Sequence, residues 1–201
     1  MTILYFVRHG QTIWNREHRM QGFKNSALTP RGLQQADQLG HYLTKLPKID
    51  RILVSPSPRA QQTAQHLNAQ IKRPITTVPE FQELNMGCWE GQTHQTIQQA
   101  SPVEWQRFWH DPTAFEALNG GETFAQLQQR AQRGFERSLQ VYPEETLLVV
   151  AHRVTLRVLL AQLLHQPIVA IPDPQPTSLT KLTLTAGCYQ VGFMNRISHD
   201  E

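Results

Sequence analysis

Thr2-Ile3-Leu4-Tyr5-Phe6-Val7 runs without a break into Arg8-His9-Gly10-Gln11-Thr12, and that junction decides how the rest of the chain is read. A run of branched and aromatic residues bounded by a glycine is the pattern of a strand buried on both faces. Ligands of open parallel sheets bind beyond the carboxyl ends of such strands, where Arg8 and His9 fall. The pattern recurs twice. Arg51-Ile52-Leu53-Val54 leads into Ser55-Pro56-Ser57-Pro58-Arg59, and Thr146-Leu147-Leu148-Val149-Val150-Ala151 leads into His152-Arg153. One polar residue after a strand is ordinarily the first solvated position of a loop. Three strand ends that bring two histidines and three arginines to one sheet edge suggest an anion pocket instead. Arginine suits the task, because its planar fork donates paired hydrogen bonds to phosphate and holds its charge at any working pH.

Helices alternate with these strands. Thr29 caps a helix opened by Pro30, with Leu33, Ala36, Leu39, Leu43 and Leu46 at helical spacing before Pro47. Residues 57–70 read as a second helix, followed by a short extended piece at Ile75 to Val78. The run 92–110 reads as helical with an interruption at Ser101-Pro102. Phe124, Leu127, Ala131, Phe135 and Leu139 mark a long amphipathic helix. Val154 to Leu164 gives another, and Leu179 to Leu184 with Tyr189 to Met194 form a terminal hairpin around Ala186-Gly187. This order predicts an α/β fold, a three-layer sandwich whose central, mostly parallel sheet is flanked by helices. The 201 residues fit a single domain. Residues 85–120 fit the alternation least and read as an insertion over the strand ends. That segment holds Trp89, Trp105, Phe108 and Trp109; Phe108 reads as core packing, and for the tryptophans packing and substrate contact stay open.

Composition narrows the function. The net charge of +3 is scattered, with no basic block or aromatic-interleaved stripe, so a nucleic-acid partner is disfavoured. Cys88 and Cys188 have no paired spacing, which indicates neither a disulfide framework nor a thiolate metal site. No apolar run approaches the length of a membrane span and no signal-like segment opens the chain, so the expectation is a cytoplasmic protein without a membrane partner. Neither a phosphate-binding lysine loop nor a dinucleotide glycine fingerprint is present, and no nucleotide cofactor is expected. The arginine neighbours of His9 and His152 oppose a cation, so no metal is expected either.

The sequence resembles the histidine phosphatase superfamily, the phosphoglycerate mutase-like proteins, over almost its whole length. The resemblance rests on motifs in order. They are Arg8-His9-Gly10-Gln11-Thr12 with Asn15; Leu28-Thr29-Pro30-Arg31-Gly32 leading to Gln35-Ala36; Ser55-Pro56 with Arg59-Ala60 and Thr63-Ala64. Then come Glu83 before Gly87-Cys88-Trp89-Glu90-Gly91; Gly120-Gly121-Glu122-Thr123; and Ala151-His152. The resemblance implies a catalytic set of His9, Glu83, His152, Arg8 and Arg59. His9 would be the nucleophile, forming a phosphohistidine. Arg8, Arg59 and His152 would surround the transferring phosphoryl group. Glu83 would be the general acid that protonates the leaving alkoxide, with Glu17, Glu80 and Glu90 as competing carboxylates. Gln11 and Asn15 would bind phosphate or orient loops, although an amide near a helix start is as often a cap.

One departure stands out. Many relatives follow the second histidine with glycine, whereas this chain has Arg153. That side chain either adds a cationic contact for a second phosphate or a carboxylate, or points away and pairs on the surface, the latter slightly favoured. The expected function is metal-independent hydrolysis of a small phosphomonoester. Bisphosphoglycerate-dependent phosphoglycerate mutase is the first alternative; such mutases are longer and enclose the site with further C-terminal chain. A non-catalytic phosphate-binding module is the second. Within the phosphatases the pattern is most similar to broad-specificity and α-ribazole phosphatases, with sugar phosphates and phosphoglycerate derivatives as other substrate candidates. A homodimer is the default assembly, on the frequency of dimers alone.

Overall fold

The computed structural model describes residues 1–197. Six strands form one sheet: β1 (Thr2–Arg8), β2 (Arg51–Val54), β3 (Ile75–Thr77), β4 (Leu147–Ala151), β5 (Leu179–Thr185) and β6 (Cys188–Arg196), in spatial order β3-β2-β4-β1-β5-β6. The first four strands are parallel. β5 lies antiparallel to β1, and β6 returns along β5. Ala186 and Gly187 both take positive φ in the connecting turn, the requirement of a tight hairpin that follows sheet twist.

Period-two alternation along β1 divides the core. Leu4 and Phe6 face α6 (Phe124–Val141) and α7 (Arg153–Leu164), meeting Phe135, Leu156 and Leu160. Tyr5 and Val7 face α2 (Pro30–Leu43) and α3 (Pro58–Ile71), meeting Leu39, Leu43, Ala60 and Leu67. The helices thus form layers on both faces, as the alternation predicts. Thr29 caps α2 by accepting from Gly32 N at 3.0 Å, with Pro30 in the first turn. A short α1 (Ile13–Arg16), held by a capping box between Thr12 and Asn15, has too few residues to leave a periodic signal.

Segment 85–120 contains α4 (His94–Ala100) and α5 (Pro102–His110), split at Ser101-Pro102. Trp89, Ile97, Phe108 and Phe115 form a third apolar cluster that reaches Phe124, Leu127 and Val158 on α6 and α7. Phe108 is buried, as expected, and Trp89 joins it. Both cysteines are free and exposed. Among the described residues no helix is long and apolar enough to cross a membrane.

In β2, β4 and β1 the carboxyl ends are level: Val54 pairs with Val150, and Arg8 with Ala151. His9 N donates to Ala151 O and Ser55 N to Val150 O, both at 3.0 Å. Register therefore sets Ser55, His152 and His9 side by side at one edge. The loop after β1 is clasped to α2 at Gly32, where a Cβ would collide with the Gln11 carbonyl. On helix propensity alone Gly32→Ala would stabilise by up to about 1 kcal/mol. The backbone collision reverses the sign, and we expect a loss of about 1–3 kcal/mol in urea denaturation; a gain would contradict this packing.

Candidate active site

His9 is buried and its ring is held in one tautomer. Nδ1 lies 2.8 Å from Gly10 O, a pure acceptor, so the proton sits on Nδ1 and the lone pair on Nε2. Burial, then the Arg59 and Arg8 charges, hold His9 well below the ordinary imidazole pKa, so the ring is neutral at neutral pH. Arg59 Nε donates to Nε2 at 3.3 Å. Gly10 N in turn donates to Thr63 Oγ1 on α3, which fixes the loop carrying the histidine.

The rest of the Arg59 guanidinium is spent on backbone. Nη1 donates to Lys24 O at 2.8 Å and Nη2 to Gly22 O at 2.9 Å. Arg8 Nη1 donates to Pro174 O at 2.8 Å, and its buried Nε has no partner among the described residues. Burial lowers both guanidinium pKa values to about 10. Both arginines stay charged, and neither forms an ion pair among the described residues.

His152 sits at 5.2 Å ring-centroid distance from His9, fully buried. Its Nε2 lies 2.7 Å from Ser55 Oγ, while Nδ1 is buried without a partner among the described residues. Burial, then Arg59, lower its pKa far below the ordinary value. Ser55 Oγ also accepts from Ser57 N at 3.3 Å. Ser55 belongs to a quoted motif, but nothing in the sequence ties its hydroxyl to a histidine 97 positions away.

Of the four candidate carboxylates only Glu83 lines the cavity. Its Oε1 accepts from Leu84 N, Thr155 N and Thr155 Oγ1 at 2.9–3.0 Å, and Oε2 accepts from Val154 N at 3.1 Å. Three of these donors, two of them N–H groups, belong to the first turn of α7, where free N–H groups favour an acceptor. Arg130 braces the approach, donating to the Glu80, Gln82 and Glu83 carbonyls while pairing with Glu122. Glu80 pairs with Arg137 and Glu17 with Arg19. Glu90 accepts from Phe23 N, Lys24 N and Met86 N, and so anchors the loop whose carbonyls hold Arg59. Gly22, at φ +53°, leaves room for that carboxylate. Arg130 and the role of Glu90 were not foreseen from sequence, although both acids they involve stand in quoted motifs.

The cavity is about 300 Å³ and is lined by Arg8, His9, Gln11, Asn15, Glu83 and Arg153, among others. Arg59 and His152 do not line it and reach His9 from within the protein. The Gln11 carbonyl oxygen Oε1 accepts from Thr29 Oγ1, and the Asn15 Oδ1 accepts from Thr12 N as a cap. Arg153 does both things expected of it in part: it faces the cavity, yet its Nε and Nη2 are paired with Asp173. Among the described residues no group of three His, Cys, Asp or Glu side chains is placed to hold a metal ion.

Known proteins are similar to this chain in sequence and fold. The structure of YhfR from Bacillus stearothermophilus superimposes with a TM-score of 0.93 at 34% identity, covering 100% of both chains. The adenosylcobalamin/alpha-ribazole phosphatase of Escherichia coli is 30% identical over 82% of this chain and 80% of its own length. A probable phosphoglycerate mutase, GpmB, of Erwinia tasmaniensis is 31% identical over 83% of this chain and 77% of its own. The model of the histidine phosphatase superfamily, branch 1, matches residues 4–197, and the chain belongs to that family.

Proposed function

We propose that this histidine phosphatase hydrolyses a small phosphomonoester through a phosphohistidine at His9. The observation that carries the reading is a neutral His9 with its lone pair on Nε2, between two buried arginines that form no ion pair among the described residues, in a cavity that also holds Glu83. His9 Nε2 forms a bond to phosphorus as the ester P–O bond breaks, and the electron pair leaves on the alcohol oxygen. Glu83 gives that oxygen its proton. Oε1 already accepts three hydrogen bonds, so Oε2, with one, is the oxygen with room to face the leaving group. In the second half Glu83 takes a proton from water, the water oxygen bonds to phosphorus, and the P–Nε2 bond breaks to release inorganic phosphate. The oxygens of the loose transition state carry its charge; Arg8, which lines the cavity, would meet it directly, and Arg59 would act through its charge from behind His9.

His152 reaches His9 from within the protein, and the 2.7 Å bond between its Nε2 and Ser55 Oγ fixes its ring whichever of the two atoms donates. Ser55 is then a positioning residue.

Phosphate release from a panel of esters in EDTA tests the reading, with His9→Ala as control. The native chain should release phosphate and acquire an acid-labile, alkali-stable label on His9; the variant should do neither. Conversion of 3-phosphoglycerate to its isomer without release would favour the mutase instead.

Ser55→Ala should lower kcat by about five- to 150-fold, the equivalent of a lost buried hydrogen bond of about 1–3 kcal/mol. The same lost bond should lower the thermal midpoint by several degrees, and an unaltered kcat would remove Ser55 from the site. The lowered pKa of His9 means that protonation of the nucleophile comes only well below 6.5. An NMR titration of the His9 ring should therefore show it still neutral where an ordinary imidazole is half protonated; a midpoint near 6.5 would contradict the burial of His9.

A further inference from the structure

Arg153 lies at the start of α7, directly after His152, and its position gives the outer cavity a definite character. Both carboxylate oxygens of Asp173 accept from its Nε and Nη2, and its guanidinium carbon stands 4.4 Å over the Trp109 ring. The one other cation in this part of the wall, Arg19, is also engaged, donating to Glu17 and to Gly91 O. Beyond the phosphoryl pocket, the cavity therefore offers a second anion no free cation among the described residues, and it presents the Asp173 carboxylate. Five rings also line the cavity: Trp109 packs on Phe108 at 4.9 Å and His94 at 5.9 Å, and His94 on His18 at 6.0 Å, with Trp14 beside them. His94 is a neutral ring at neutral pH, since burial and the Arg153 charge lower its pKa to about 4.

We propose that the Arg153–Asp173–Trp109 wall is the leaving-group subsite, that it accepts an alcohol bearing an uncharged planar ring, and that Asp173 turns away substrates with a second anion by keeping Arg153 occupied. This rests on the phosphohydrolase reading above. A ring entering the cavity gains flat apolar contact with Trp109 and the stacked guanidinium. A carboxylate entering the same space meets an arginine and an acid already paired with each other, and loses its hydration without a free charged donor in exchange.

Three esters separate the components: 1-naphthyl phosphate, 3-phosphoglycerate, and glycerol 3-phosphate, which has no carboxylate. The native enzyme should favour naphthyl phosphate over glycerol 3-phosphate in kcat/KM, and 3-phosphoglycerate should be the poorest. Asp173→Asn frees Arg153 and should raise the 3-phosphoglycerate to glycerol 3-phosphate ratio about tenfold or more, the size of one charge-assisted hydrogen bond. Arg153→Gln should lower that ratio, because Asp173 is left uncompensated, and the double variant should show none of the gain. Trp109→Ala should cut the naphthyl to glycerol 3-phosphate ratio by up to about tenfold. A ratio unmoved in both single variants, or a gain that survives without Arg153, overturns the inference while leaving the hydrolase intact. No phosphate from any of the three esters by the native chain would overturn both.

Discussion

Two arginines and two histidines are buried at one edge of the sheet with no carboxylate paired to either arginine among the described residues, and the rest of the site answers that constraint. Cations removed from water are costly unless something replaces their hydration. Here carbonyl oxygens do part of it: Gly22 and Lys24 for Arg59, and Pro174 for Arg8. Carbonyls supply hydrogen bonds without neutralising charge, so the positive field persists and, after burial itself, helps to keep both imidazoles unprotonated. On the proposed function, a bound phosphoryl group would supply the missing negative charge. A carboxylate in that place would have made the protein more comfortable and the pocket unusable.

Holding such a cluster needs rigid surroundings, and these are built from pairs distant in sequence. Glu90 fixes the loop that presents carbonyls to Arg59, and Gly22 gives it the space to do so. Glu122 holds Arg130, whose other donors pin the backbone approaching Glu83. The first turn of α7 then fixes the Glu83 carboxyl itself. Motif residues that touch no reacting atom thus act by positioning the ones that do.

How far this was legible in the sequence depends on the range of the signal. Strands and helices are local, and β1, β2 and β4 with their polar ends were readable from Thr2–Arg8, Arg51–Val54 and Leu147–Ala151. Glu83 was placed by the resemblance and not by periodicity, since a lone glutamate before a glycine looks like any loop charge. Arg59 was expected to face the phosphate with its fork; its Nη groups serve backbone carbonyls instead, a contact no side-chain pattern encodes. The partners Ser55–His152 and Arg130–Glu122 with the 80–83 backbone depend on the meeting of separate elements, which only register and packing determine. α1 escaped because four residues cannot display a helical period.

Arg153 is the position where electrostatics and selectivity meet. A cation at the amino end of a helix is opposed by the helix dipole, and this one also lowers the charge stability of Arg8. It persists because Asp173 neutralises it and Trp109 gives its plane a surface to stack on. Glycine at this position would avoid the conflict and leave the strand end open. The side chain therefore closes space beside the phosphoryl pocket with a group that is bulky and flat but carries no spare charge. The inner pocket remains electron-poor for the reaction, while the outer wall discriminates by shape and by the absence of a second positive site.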